Sequence, residues 1–286
     1  MLEVEVKKNF EWDCTENKLT IFVPCYKNID TVRFTIEHIS TILEPWDYTI
    51  IIGNDGFHHH WGDLSEALIH RDHPVPVKYF SLLHTEQQPR NSCFIRNYAM
   101  KRCMSEYFMQ KDCSVVLEGD FPLYAIRTCE KGYFWRAGNI TVVSKEDTYK
   151  CVENNDLLDL GTSLYHRVEP VKATSVEELK NHLIIRHGQV NFSTYFQYAF
   201  CAPTQFLKGI HGYDEDYRWY GYEDTDMFCR LTALGKIIKP DYDTYAHHLW
   251  HPSTVNEEQL IPMRELFRSK NPEQTLRNPE GWGRGK

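Results

Sequence analysis

Glu223-Asp224-Thr225-Asp226 brings three carboxylates into the chain directly after an aromatic run, Trp219-Tyr220-Gly221-Tyr222. Aromatic faces stack on rings, and a carboxylate held beside them can take the proton of a bound hydroxyl. The same residues open an amphipathic helix, because Met227, Phe228, Leu231 and Leu234 recur at helical spacing. Glu223, Asp224 and Asp226 fall in its first turn, where free backbone N–H groups and the macrodipole favour anions. A structural helix with an acidic start carries the same pattern. The preceding aromatic loop, relieved by Gly221, is what points to a site that activates an acceptor hydroxyl.

Two further patterns suit a metal ion. Glu118-Gly119-Asp120 follows the apolar run Ser114–Leu117, and a carboxylate on such a tight turn fits a hard divalent cation carrying a diphosphate. In Ala246-His247-His248-Leu249-Trp250-His251, His248 and His251 are three apart and converge if the segment turns. Imidazole ligates manganese, although a pair of structural histidines reads the same way. Asp120 with one or two of these histidines would leave coordination positions open for phosphate oxygens. His58-His59-His60 reads as loop, without a metal role. Arg96-Asn97 lies within a helical pattern, where Arg96 would pair with a phosphate or with an acid such as Asp120, or else face solvent. The chain has no GxGxxG, GxxxxGK[ST] or GxSxG pattern, which disfavours dinucleotide, P-loop and serine-hydrolase chemistry.

The elements that must position these residues alternate. Strands are expected at Leu19–Val23 (stopped by Pro24), Tyr48–Ile52, Val75–Leu82 and Ser114–Leu117, with helices over Thr31–Leu43 and Arg90–Tyr107. Continuous apolar strands between helices imply a parallel sheet covered on both faces, which binds ligands beyond its strands' carboxyl ends. Three strands end in polar clusters, Cys25-Tyr26-Lys27-Asn28, Asn54-Asp55-Gly56 and Glu118-Gly119-Asp120. Further on, Ile140–Ser144, Tyr198–Ala202 and Lys236–Lys239 read as strands. Val176–Leu183, Pro203–Leu207 and Glu257–Ser269 read as helices, and the closing stretch Asn278–Lys286 is flexible or lies on the body as an arm.

Composition bounds the class. The chain has 286 residues, 42% of them hydrophobic, 25% charged and 14% aromatic, as in a globular protein able to bury a sizeable core. A net charge of −8 gives no broad attraction to nucleic acid, although a modified base as acceptor stays open. Nine cysteines without a Cys-x-x-Cys pair read as reduced thiols rather than a disulfide framework. No apolar run has membrane-spanning length and the N-terminus lacks a signal-peptide core, so a cytoplasmic protein, at most peripheral to a membrane, is expected.

Taken in order, TIFVPCYKN, IIIGNDG, RNSCFIRNYAM, VVLEGD, FLKGIHGYDEDYRWYGYEDTDMFCRL and AHHLWHP resemble the GT-A-fold glycosyltransferases. The family-2-like inverting enzymes with a β-1,4-galactosyltransferase-type C-terminal half are the nearest in pattern, and the resemblance spans about residues 19–252. It implies an α/β, Rossmann-like GT-A fold: a mixed, mainly parallel sheet flanked by helices in a single domain. That domain would cover 1–252, with a nucleotide-sugar half of about 1–125 and an acceptor half of about 126–252, and 253–286 would form a tail. The resemblance further implies a nucleotide-sugar donor, UDP-linked, held by Pro24, Tyr26 and Asp55, with Arg96, Glu118 and Asp120 on the donor side. Mn²⁺ (or Mg²⁺) would be bound by Asp120 with His248 or His251. Asp224 would be the general base with Glu223 beside it, and Trp219, Tyr220 and Asp226 would line the acceptor site. Two departures fall in that acceptor site: Tyr220 stands where galactosyltransferases carry Trp, and Thr225 where they carry an acid. A third, Glu118 at the first DxD position, is compatible with the alternative of a degenerate GT-A module that binds a glycan or nucleotide without turnover.

Overall fold

The computed structural model describes residues 5–8, 12, 17–26, 29–42, 48–55, 77–83, 91–157, 164–167, 198–219, 221–252, 257–271 and 273–283. His58–His60, Tyr220 and the helix expected at Val176–Leu183 lie outside them. The strands are β1 (Glu5–Lys8), β2 (Leu19–Cys25), β3 (Tyr48–Asn54), β4 (Val77–Leu83), β5 (Tyr107–Lys111), β6 (Val115–Glu118), β7 (Phe134–Val142), β8 (Leu164–Arg167), β9 (Ala199–Pro203) and β10 (Ile238–His248). The helices are α1 (Ile29–Ile42), α2 (Ser92–Arg102), α3 (Phe121–Glu130), α4 (Lys145–Asn154), α5 (Thr204–Gly209), α6 (Glu223–Ala233) and α7 (Glu257–Ser269).

The strands form one mixed sheet in the order β1-β4-β3-β2-β5-β9-β7-β10-β6, with β8 paired to β7. Its N-terminal part, β4-β3-β2-β5, is parallel. β9 then enters antiparallel to both β5 and β7, and β10 runs parallel to β7 but antiparallel to β6. Alternating side chains serve two cores, as a strand's period of two requires. Phe22, Ile51, Phe80 and Phe108 pack with α2 and α6 on one face, while Ile21, Val23, Ile50, Ile52 and Met109 pack with α1 and α3 on the other.

Three expectations change. β2 runs on through Pro24 to Cys25, because β5 pairs only as far as Phe22 and leaves Pro24 outside that ladder. The helix expected to reach Tyr107 ends at Arg102. Cys103 turns to an extended ψ of 132°, and Tyr107-Phe108-Met109 become a buried strand between β2 and β9. The short strand expected after Gly235 is the long β10, which carries His247 and His248 in strand rather than turn geometry. Among the described residues, no helix is long and apolar enough to cross a membrane.

Candidate active site

The parallel strands β2 and β3 bring their polar ends together. The backbone N–H of Asp55 donates to the Cys25 carbonyl at 2.9 Å, tying the end of β3 to the end of β2. Pro24 and Asp55 are buried and Tyr26 is half-buried at this junction.

A carboxylate missed from the sequence completes the row. Phe22 pairs with Gln110 in parallel register, so Asp112, just past β5, stands level with Pro24. Its N–H donates to the Tyr198 carbonyl at 3.0 Å, and the Tyr198 ring lies 5.0 Å from that of His248. His248 pairs with Val115 across β10 and β6, and the Leu249 N–H donates to the Ser114 carbonyl at 2.8 Å. The His251 ring then lies 5.2 Å from His248. Burial pushes His248 down to about 4, with His251 adding to the effect, so its imidazole is neutral. Burial pushes the Asp112 carboxyl well up, against the pull of Arg96 and with a further push from Asp224. Lys111 is fully buried and donates from Nζ to the carbonyls of Asp112 and Val115, clamping this turn.

Glu118 and Asp120 do not join His248 and His251. Glu118 ends β6, which runs away from the Asp112 turn, and Asp120 lies just beyond it, exposed at the start of α3. Glu118 instead bonds through Oε2 to Nε2 of His247 at 2.7 Å. Consecutive strand residues face opposite ways, so His247 goes with Glu118 while His248 goes to Tyr198. Among the described residues, no three His, Cys, Asp or Glu side chains come together closely enough to hold an ion unaided.

Asp224 sits in the first turn of α6. Burial pushes its carboxyl up to about 6 and Glu223 adds to this, while Arg96 and Tyr213 pull it down. Its Oδ1 is sealed from solvent and has no hydrogen-bond partner among the described residues. Arg96 is buried, not solvent-facing, and its Nη1 donates to Glu223 Oε1 at 3.1 Å and to Ser92 Oγ at 3.2 Å. Desolvation opposes its charge, but Asp224 and then Glu223 more than compensate, holding the guanidinium's pKa well above its ordinary value. The expectation of Arg96 on a donor phosphate therefore gives way to an internal pair. Glu223 is saturated as well: its Oε2 accepts from the Gly221 N–H at 2.8 Å. It holds Arg96 and the loop rather than moving a proton.

Asp226 is also corrected, from acceptor contact to framework. Its Oδ2 accepts from Arg230 Nε at 2.8 Å and its Oδ1 from Arg277 Nη2 at 3.3 Å, with the residue 1% exposed. At helical spacing it points into the body while Asp224 does not. Trp219 is half-buried and packs on the α2/α6 core. Tyr222 enters α6 with a left-handed φ of 68°, and its ring stacks on Phe267 of α7 at 5.5 Å.

The galactosyltransferase family model, described as the N-terminal domain of galactosyltransferase, matches residues 186–248. A search of curated proteins gives no match. Solved structures do match. A mannosyltransferase from Pyrobaculum calidifontis, solved with GDP-Man and Mn²⁺, is similar with a TM-score of 0.51 and 10% identity over 86% of this chain. TarS of S. aureus is similar with a TM-score of 0.50 and 13% identity over 87% of this chain. The chain spans 62% and 39% of the lengths of those two structures. The likeness to these two structures gives the chain the GT-A fold of glycosyltransferases. The segment similar to the galactosyltransferase model, residues 186–248, is the one that carries Asp224.

Proposed function

We propose that the chain transfers a sugar from a UDP-linked nucleotide-sugar donor to an acceptor hydroxyl, with inversion at the anomeric carbon and Asp224 as general base. The observation that carries this reading is Asp224 itself, a half-buried residue whose carboxyl is held up to about 6, with one oxygen unpartnered among the described residues and the charge of the buried Arg96 acting on it. The GDP-Man and Mn²⁺ of the mannosyltransferase support a nucleotide-sugar donor and a divalent ion. The domain unit is 1–252, with 253–286 laid on it as an extension.

The donor's nucleoside lies against Pro24, Tyr26 and Asp55, at the joined ends of β2 and β3. The acceptor hydroxyl donates to the Asp224 carboxylate. As its oxygen bonds to the anomeric carbon, the bond from that carbon to the diphosphate breaks and the proton passes to Asp224. A carboxyl near 6 is ionised at neutral pH yet basic enough to hold the proton, and such a positioned base contributes roughly 10²–10⁴-fold. The Arg96–Glu223 pair fixes the first turn of α6, so that orientation adds to proton transfer.

Asp112 with His248 and His251 would suit a divalent ion, because the Asp112 turn is tied to Tyr198, whose ring lies against the neutral imidazole of His248, and carboxylate with imidazole suits manganese. Among the described residues these side chains do not close a shell by themselves, which would leave coordination positions to phosphate oxygens. When bound, the ion neutralises charge gathering on the leaving diphosphate. The test is a panel of nucleotide sugars with and without manganese, read by release of nucleoside diphosphate. Release that depends on acceptor supports transfer; binding with no release from any donor returns the chain to a degenerate binding module.

A further inference from the structure

The last described stretch, residues 273–283, is not a loose tail. Asn278 and Trp282 are 5% and 4% exposed. Asn278 donates from Nδ2 to the carbonyls of His211 and Tyr213 and accepts from the Glu215 N–H at 2.9 Å. Its own carbonyl meets His211 Nδ1 at 2.7 Å, and Trp282 stacks on the His211 ring at 5.7 Å. The Gly283 N–H donates to Glu215 Oε1 at 2.8 Å. Arg277 reaches Asp226, and the Thr275 carbonyl accepts from Arg230 at 3.2 Å.

These bonds land on the elements that hold the proposed base. The 211–217 loop leads into α6, and its Tyr213 stands beside Asp224. From the other side Asn97, next to Arg96 on α2, grips the same loop. It donates to the Tyr213 carbonyl at 2.8 Å and to Glu215 Oε1 at 3.0 Å, and its Oδ1 accepts from the Tyr213 N–H at 2.7 Å. Gly212 is needed there, since a Cβ would collide with the Asn97 side chain. The loop is thus clamped between Asn97 and Asn278. Among the described residues, the hydrogen bonds of this clamp join 97, 211–215, 278 and 283, and run apart from the ends of β2 and β3 proposed to face the donor.

We propose that Asn278 and Arg277 are positioning residues for the transfer step, acting through the 211–217 loop and Asp226 on the placement of Asp224. This rests on the proposed transferase reading, but the clamp itself is independent of it. An ångström-scale displacement of a catalytic group costs up to ~10²-fold, so Asn278→Ala lowers acceptor-dependent transfer about ten- to a hundredfold in kcat. Donor binding, and nucleoside diphosphate release without acceptor, stay within about twofold of the parent chain, because the donor side does not touch the arm. Arg277→Gln, which leaves the Asn278 clamp intact, gives the same split if Asn278→Ala does not fold. Transfer within twofold of the parent chain, or an equal fall in release and transfer, overturns the proposal. Hydrogen exchange separates its failure from that of the transferase reading, since it needs no substrate. In Asn278→Ala the amides of 211–217 exchange faster while those of β2 and β3 keep their protection; an unchanged loop overturns the clamp even where no donor is ever turned over.

Discussion

Asp224 lies between opposing influences: a helix N-terminus and Arg96 favour its charged form, and burial opposes it. Burial wins, and the consequences can be measured. Asp224→Asn retains donor binding and loses roughly 10²–10⁴-fold in transfer rate. Its folded value near 6 lies above the ordinary carboxylate value, so the native state takes up a proton as pH falls towards 6. The contribution of Asp224 therefore favours the folded chain on the acid side and is lost as pH rises through about 6. Activity runs the other way: transfer rises with a midpoint about 6, and a pH–rate profile with no acid limb between 5 and 7 removes Asp224 as the base. For the ion, Asp112→Asn abolishes the manganese response and Asp120→Asn keeps it, as read by thermal shift with nucleotide present. Asp224 was legible because a helix start after an aromatic loop is a local pattern. Asp112 was not: it becomes part of the site only through the pairing of β5 with β2, a long-range fact, and Gln110-Lys111 disguise the end of that strand.

Among the elements, α2 and α6 form one working unit joined by Arg96 and Glu223, both buried. Removing one partner of a buried pair leaves a charge uncompensated, so Arg96→Leu destabilises the chain by about 3–5 kcal/mol, seen as a lowered melting temperature. It also raises the Asp224 value further, moving the acid limb of the rate profile upward. Gly221 is held at a φ of +108°, where its N–H meets Glu223 and a Cβ would press on Leu260, so Gly221→Ala costs about 1–3 kcal/mol by denaturant unfolding. Helices with a clean apolar stripe, α6 and α7, were readable to within a residue. β10 was not, since Lys239, Asp241 and Asp243 interrupt its pattern and its length follows from pairing with both β7 and β6.

At the scale of the molecule, the sheet joins regions that the linear order separates. The donor-side ends of β2, β3 and β5 come from the first 112 residues, while His248 and Asp224 come from beyond residue 220. The overall α/β order was legible from alternating strands and helices; the antiparallel insertion of β9 and the placing of β10 between β7 and β6 were not, because crossovers leave no local trace. That insertion sets a timetable for synthesis. β6 is made at residues 115–118, yet its one partner among the described residues is β10, made at 238–248. For more than a hundred residues of translation β6 has no ladder among the described residues and the Asp112 turn no His248, so a nascent chain holds β2, β3 and β5 long before it holds β10. A fragment cut near residue 125, where the sequence reading divides the two halves, keeps that edge exposed permanently, which makes it prone to self-association rather than a usable nucleotide-binding half.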